Sequence, residues 1–468
     1  MAPPIILPPS QSHDALVDGI EQAVATNATL LLEPGTHYTR PGRAQRIAVS
    51  ENGLRIRSTG PSPLPIASTV PKARIMRPCS AVLPATPDDN YGLFFIPAGP
   101  TDPELAQAIW KPFTDVNGLS FEFAVVMRGR IDISGLLVDC NMQNQGIDQL
   151  PKDAAEHSAM LGFSGWRYPV QQPGPGGIKR FVYVGFESVT LRDMGFVNGG
   201  YADDVWVVYA GGAFHPHIEE VVIEQVASAD RVNPRRATLS FSGLARRVRI
   251  HDADVYRVHA EQDGDWKDAP RQDAAFSNAV FDLAAIAAER MAFLVKGKVV
   301  TLDARRLEVN GAFGVSFAGG EIADSTLRVA IGQDARFFRL DSLSFERVTW
   351  QLPADASGMV GGIQPRSRFS DTCIATFTDN VFTAVGSVNA GQIIASEYSV
   401  AESGNSVTLN FVGCSYEPAF GTATLPQTII AQVNERGTWT FHKADLGNRD
   451  PAHALPKSNH PDVHLNVI

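Results

Sequence analysis

A short pattern recurs along the chain: an apolar residue, any residue, a second apolar residue, then a polar turn. It reads Val189-Thr190-Leu191-Arg192-Asp193, Val221-Val222-Ile223-Glu224, Val248-Arg249-Ile250-His251-Asp252 and Val300-Thr301-Leu302-Asp303. It continues as Ser325-Thr326-Leu327-Arg328, Ser342-Leu343-Ser344-Phe345-Glu346, Val407-Thr408-Leu409-Asn410 and Thr438-Trp439-Thr440-Phe441. Alternation with period two marks a strand that places one side chain inside and the next outside. The central residues are unevenly spaced: 32 positions from Leu191 to Ile223, 27 to Ile250, 52 to Leu302 (two coils), 25 to Leu327, and 32 from Leu409 to Phe441. Such spacing excludes exact repeats of the leucine-rich or ankyrin kind and suits coils whose loops vary in length. The predicted fold is all-β: a single-stranded right-handed parallel β-helix, a solenoid with an N-terminal capping helix.

Other elements frame these strands. Ser12-His13-Asp14 precedes ALVDGIEQAVA, in which Leu16, Ile20, Ala23 and Val24 share one helical face and Ser12 or Asp14 supplies the N-cap. A solenoid cannot close its own ends and an open strand edge invites aggregation, so this helix is expected to cap the first coil. The expected organisation is an N-terminal cap over residues 1–45 (the helix plus the first strands), the β-helix over 46–442 and a C-terminal tail over 443–468. The tail is polar and proline-rich, and is expected to run along the outside or stay loosely ordered. Residues 143–177, containing PKDAAEHSAM, SGWRYP and QQPGPGG, are expected to project as an insertion beside the barrel.

Ala28-Thr29-Leu30-Leu31-Leu32-Glu33-Pro34-Gly35-Thr36-His37-Tyr38 reads as strand, Pro-Gly turn and strand. Gly53-Leu54-Arg55-Ile56-Arg57-Ser58-Thr59-Gly60 is a two-residue alternation ended by glycine. A capping helix followed by LLLEPGTHYTR and GLRIRSTG resembles the opening of the pectate-lyase-like right-handed parallel β-helix proteins, a carbohydrate-active superfamily. The resemblance covers about the first 60 residues as a pattern and the remainder as rhythm. It implies the fold and a glycan as substrate, and it carries no catalytic fingerprint.

Composition narrows the function by exclusion. The 468 residues include 40 Gly and 31 Pro, so turns recur everywhere and long helices are disfavoured. A formal charge of −10 does not draw a polyphosphate, which argues against a nucleic-acid partner. No apolar run reaches the ~18 residues of a membrane span, so no membrane partner is expected. Cys79, Cys140, Cys373 and Cys414 are scattered without CxxC spacing and read as buried free thiols, not as a disulfide or metal set. The N-terminus, MAPPIILPPSQSHDA, shows no basic stretch followed by an apolar one. The expectation is a cytoplasmic protein or the mature form of an exported one.

The candidate chemistry emerges when coils are aligned on the strands Val205-Trp206-Val207, Ala237-Thr238-Leu239 and Ala279-Val280-Phe281. Residues just before these strands then become neighbours, about 4.8 Å apart per coil. This brings together Asp203, Asp204, Asp230, Arg235 and Arg236. The loop AEQDGDWKDAPRQ adds Glu261, Asp263, Trp266, Lys267 and Arg271, with Trp206 and Tyr256 nearby in sequence. Asp203, Asp204, Asp230, Glu261 and Asp263 are the candidate catalytic carboxylates. Trp206, Arg235, Arg236, Tyr256, Trp266, Lys267 and Arg271 are the candidate substrate contacts. Paired carboxylates suit glycosidic chemistry: one protonates the leaving oxygen, and the other acts as base or nucleophile. Aspartates in turns are also ordinary solvated turn formers, and Arg235 or Arg236 can simply neutralise them. Asp203-Asp204 is similar to the adjacent aspartates of polygalacturonase-type hydrolases, but no Gly-His-Gly or Arg-Ile-Lys accompanies them. His215-Pro216-His217 lacks a third ligand and reads as a surface loop; His157, His251 and His259 read as structural. Asn141, in Asp139-Cys140-Asn141, is expected to occupy a coil corner.

The leading expectation is a carbohydrate-active enzyme that cleaves or rearranges glycosidic bonds of a poly- or oligosaccharide. It would act as a glycoside hydrolase or as an intramolecular glycosyl transferase like the β-helix enzymes that act on fructans. No cofactor is expected. A polysaccharide lyase acting on a uronate-containing glycan is the alternative, with calcium as an aid to neutralising the carboxylate. A non-catalytic glycan-binding spike or adhesin is the third, and homo-oligomerisation stays open.

Overall fold

The computed structural model describes residues 2–40, 45–78, 91–114, 118–141, 159–199, 203–209, 218–229, 238–241, 245–261, 272–282, 291–328, 335–340, 343–352, 361–364, 372–384, 394–396, 406–416, 437–441 and 463–468. The chain divides into two compact units, Met1–Val255 with Glu261–Gln272, and Tyr256–Ala260 with Asp273–Ile468.

The first unit opens with β1 (Ile5–Leu7), helix α1 (Ala15–Thr26), β2 (Thr29–Leu32) and β3 (Gly35–Tyr38). Next come β4 (Gln45–Val49), β5 (Leu54–Ser58), β6 (Ala73–Met76), β7 (Tyr91–Pro97), helix α2 (Asp102–Ala106), β8 (Lys111–Thr114) and β9 (Ser120–Arg128). They are followed by β10 (Ile131–Ser134), β11 (Leu137–Asp139), β12 (Ala159–Val170), β13 (Arg180–Val197), β14 (Asp203–Tyr209), β15 (Ile218–Ser228), β16 (Leu239–Phe241) and β17 (Ala245–Val255).

Parallel pairing sorts these strands into three sheets, one for each side of a coil. The first runs through β1, β2, β5, β10, the middle of β13, β15 and β17. The second runs through β3, β6, β11 and the ends of β13 and β15. The third contains β4, β7, β12, β14 and β16. This is a right-handed parallel β-helix, the hand that parallel crossovers adopt. Leu191, Ile223 and Ile250 stack as their spacing predicts, with Ile56 and Ile133 in the same column, and all five are fully buried. Between the first and second sheets the chain turns through one left-handed residue: Gly135, Asp193, Gln225 and Asp252 have φ of 74°, 53°, 53° and 53°.

Helix α1 buries Leu16, Ile20, Ala23 and Val24 as predicted, and Val17 as well. Its N-cap is Asp14, whose carboxylate makes no capping bond; it takes Arg40 Nε–H at 2.5 Å instead. A four-stranded sheet also forms where β8 pairs antiparallel with β9, β9 parallel with the start of β13, and the end of β12 antiparallel with β13.

After β18 (Val258–Glu261), the second unit contains β19 (Gln272–Asp282), β20 (Met291–Asn310), β21 (Ala312–Ala323), β22 (Thr326–Arg328), β23 (Ala335–Leu340), β24 (Leu343–Glu346) and β25 (Thr349–Leu352). It ends with β26 (Gly361–Gln364), β27 (Thr372–Thr378), β28 (Val381–Ala384), β29 (Ile394–Ser396), β30 (Ser406–Val412), β31 (Ser415–Tyr416), β32 (Gly437–Phe441) and β33 (Val463–Val467). The same three-sided parallel winding holds: β21–β24–β27–β30–β32–β33 on one side, β22–β25–β28–β31 on the next and β21–β23–β26–β29 on the third. Inside, Phe345, Phe377 and Phe411 stack face to face with ring centroids 4.9 and 4.7 Å apart. Arg306, Asp324, Arg347, Asp379 and Gly413 take the left-handed corner of successive coils.

The first strands, within residues 1–45, already belong to the parallel stack: β2 pairs with β5 and β3 with β6. Other expectations change. Residues 159–165 are not insertion but a strand of the third sheet, paired with β7 and β14. The C-terminus is not wholly a tail, since β33 pairs in parallel with β32. Leu327 stacks on Val309, not Leu302, and Phe441 on Phe411, not Leu409. Bends and bulges shift the true register by a few residues, which alternation alone does not reveal.

Candidate functional site

Asp203 and Asp204 open β14, and Trp206 lies two residues further on. Alignment of sequence had set Val205 against Ala237; the structure pairs it with Leu239, two residues on, and Trp206 with Ser240. The next aligned segment, Ala279–Phe281, belongs to β19 in the second unit, whereas β14 and β16 belong to the first. Asp203 begins its strand and Glu261 ends β18.

Tyr256 requires correction as a substrate contact. It is fully buried and belongs to the core, because its position just after β17 turns the ring inward. Asp230, Arg235, Arg236, Asp263, Trp266, Lys267 and Arg271 lie outside the described residues, as do His157, His215 and His217. Asn141 occupies a corner as expected, with φ of 48°. It is buried, and its Nδ2 donates to the Arg77 carbonyl at 3.0 Å. Cys140 and Cys414 are buried and lie outside any disulfide. Among the described residues, no group of three or more His, Cys, Asp and Glu side chains is arranged to hold a metal ion.

The first sheet presents a site that the turns did not announce. Its outward positions form columns in register: Ser188, Glu220 and Arg247; then Asp132, Thr190, Val222 and Arg249; then Ser134, Arg192, Glu224 and His251. On this sheet lies a groove of about 560 Å³, lined by Arg130, Ile131, Asp132, Glu187, Ser188, Thr190, Arg192, Glu219, Glu220 and Arg247. That volume falls within the ordinary size of ligand clefts, about 300–1,000 Å³. The guanidiniums of its walls are already engaged. Arg130 Nε is 3.2 Å from Glu187, Arg192 Nε 2.8 Å from Glu224, and Arg247 Nε 3.5 Å from Glu220. Glu220 also receives Arg249 at 3.3 Å, and Arg57 holds Asp132 at 2.9 Å. Side-chain hydroxyls of Ser188 and Thr190 lie among these pairs, with four carboxylates against three guanidiniums in the lining. The sequence signal was present in the same recurring strands, at the residues between the apolar ones.

No family model matches the sequence, and no curated protein matches it. Among solved structures, the chain is similar to the A-module of the mannuronan C-5 epimerase AlgE6 of Azotobacter vinelandii. The identity is 12% and the TM-score 0.41, over 88% of this chain and 96% of that one. It is also similar to the Agl-KA catalytic domain, at 9% identity and a TM-score of 0.34, over 98% of this chain and 66% of that one. The assignment of a parallel β-helix rests on the strand register described above.

The lining as a whole is not cationic, and its ion pairs stand open to water, Arg130 being 77% exposed.

Proposed function

We propose that this protein is a carbohydrate-active enzyme that cleaves or rearranges glycosidic bonds of a poly- or oligosaccharide by carboxylate acid/base catalysis. The observation that carries this reading is the groove on the first sheet, where carboxylates, paired guanidiniums and hydroxyls repeat along the stack. In hydrolysis, one carboxylic acid gives its proton to the glycosidic oxygen as the bond to the anomeric carbon breaks. A carboxylate then takes the proton of the water that attacks that carbon, or attacks first and is released by water. In internal transfer a sugar hydroxyl replaces the water. Asp203, Asp204, Asp230, Glu261 and Asp263 remain the proposed catalytic set. Trp206, Arg235, Arg236, Trp266, Lys267 and Arg271 remain the proposed contacts, and Asp132, Glu187 and Glu220 join them from the groove. The excess of carboxylates over guanidiniums in the lining favours a neutral glycan over the uronate a lyase requires.

The test is incubation with neutral and acidic glycans and mass spectrometry of the products. Hydrolysis adds one water per cut, and internal transfer yields cyclic products isomeric with the unit released. Unsaturated products without added water would replace this reading by a lyase. Binding without any product would replace it by a glycan-binding module.

A further inference from the structure

Two hydroxyls stand among the charges of the groove on the first sheet. Ser188 and Thr190 are two residues apart on β13, so they share its outer face about 7 Å from each other. Both are half-buried, within reach of a ligand in the groove that they line. Among the described residues neither hydroxyl has a hydrogen-bond partner, whereas the charges beside them are engaged with one another.

The register names their neighbours. Ser188 pairs with Glu220, and Glu220 with Arg247. On the other side, Arg128 pairs with Phe186 and Ile131 with Val189, which sets Arg130 against Ser188. Thr190 pairs with Asp132 and with Val222. The lining therefore comes from four successive coils, through β10, β13, β15 and β17, a run of roughly 14 Å at about 4.8 Å per coil. The line from Ser188 to Thr190 crosses that run, because it follows the strand. A polymer lying along the stack thus offers one edge of a unit to Ser188 and the opposite edge to Thr190.

The chemistry of the pair selects among polymers. A hydroxyl both donates and accepts, as a sugar hydroxyl does. Thr190 is β-branched and stiff at χ1, so its hydroxyl loses little freedom on binding. A uronate is disfavoured at both positions. Its carboxylate at Thr190 would stand one coil from Asp132, and at Ser188 one coil from Glu220, with about 5 Å between like charges. Arg130, the cation in register beside Ser188, is exposed and already faces Glu187, so water weakens any compensation it offers.

We infer that Ser188 and Thr190 are specificity-determining contacts, bonding hydroxyls on the two edges of one ring of a neutral glycan that lies along the stack. This rests on the reading of the protein as a carbohydrate-active enzyme.

The experiment is calorimetric titration of wild type, Ser188→Ala, Thr190→Val, Thr190→Ser and Ser134→Ala. The ligands are cellohexaose, xylohexaose, laminarihexaose, maltohexaose, an inulin hexamer and an oligogalacturonate. Ser134 is half-buried on the same face but outside the groove lining, so its variant controls for the loss of any surface hydroxyl. Ser188→Ala and Thr190→Val are each expected to weaken binding of the neutral oligosaccharide that wild type takes by about five- to tenfold. Thr190→Ser and Ser134→Ala are expected to stay within about twofold of wild type. Melting temperatures of all four variants are expected to match wild type. Unchanged affinity in either Ser188→Ala or Thr190→Val overturns the inference and leaves the enzyme reading intact, as does an equal loss in Ser134→Ala. Tighter binding of the oligogalacturonate than of every neutral oligosaccharide also overturns it. Binding of none of the six by wild type overturns it too, and the product analysis then decides separately on the enzyme reading. Should one of the two groove variants not fold, the other carries the same comparison.

Discussion

Arg128 and Glu104 close on each other where α2 meets β9. The guanidinium is 2% exposed, and its Nη1 and Nη2 donate to the two Glu104 oxygens at 2.5 and 3.0 Å. Its Nε and Nη2 also reach the carbonyls of Ala98 and Gly99, at 3.0 and 2.7 Å. The bonds from Arg128 first, and then those from the Thr101 N–H and hydroxyl, hold the Glu104 carboxyl down at about 2 against the opposing effect of burial, where its ordinary value is near 4.5.

The consequence is acid sensitivity with a defined sign. Because the folded value lies below the unfolded one, the pair's contribution is complete above about pH 4.5 and fades as pH falls towards 2. Glu104→Gln leaves a buried guanidinium without its counter-charge. It is expected to cost about 3 kcal/mol at pH 7, the low end for a broken buried pair because Glu104 keeps contact with water. Urea titrations at pH 7 and pH 3 check this: the gap between wild type and variant narrows at the lower pH.

Asn380 is a second structural joint. It accepts Trp350 Nε1–H at 3.0 Å and donates to the Phe345 and Thr378 carbonyls at 2.7 and 2.9 Å, all inside the coil. Asn380→Ala strands a buried indole N–H and removes both carbonyl contacts. A loss of about 3 kcal/mol is expected, read as a lower urea midpoint with an unchanged slope.

Gly413 ends the corner series that begins at Arg306. Its φ is +66°, and a Cβ there would fall on Asp379 Oδ1. Gly413→Ala is expected to lower stability by about 1–2 kcal/mol through strain and displacement of the aspartate. Thermal melting measures it. Gly118, also at positive φ but with open space around its Cβ position, serves as the milder control.

Catalysis offers a test that separates the two candidate carboxylate groups. Removing a general acid or base lowers turnover about 10²–10⁴-fold. Asp204→Asn and Glu261→Gln are expected to fall in that range on the glycan identified by product analysis. Glu220→Gln and Glu187→Gln, in the groove, are expected to raise KM more than they lower kcat. The reverse pattern would move the chemistry onto the first sheet.

The fold was legible in the sequence because its cause is local. Alternation with period two decides which residues of Val189–Leu191 or Val248–Ile250 go inside, and a turn residue after each strand decides where the coil bends. The stacking of Leu191, Ile223 and Ile250 followed from that. Where bulges and short coils intervene, as between Val309 and Leu327, counting along the chain went astray.

The site was less legible because it depends on register between strands far apart in sequence. A shift of two residues keeps every side chain on its own face and leaves the alternation unchanged, so nothing in the sequence chooses between Ala237 and Leu239 as the partner of Val205. Hydrogen bonding between neighbouring coils makes that choice. Sequence by itself determined that the chain winds into parallel coils with charged residues on their outer faces. Only the tertiary structure decided which charges stand side by side, sending Tyr256 into the core and gathering Asp132, Glu187 and Glu220 along one groove.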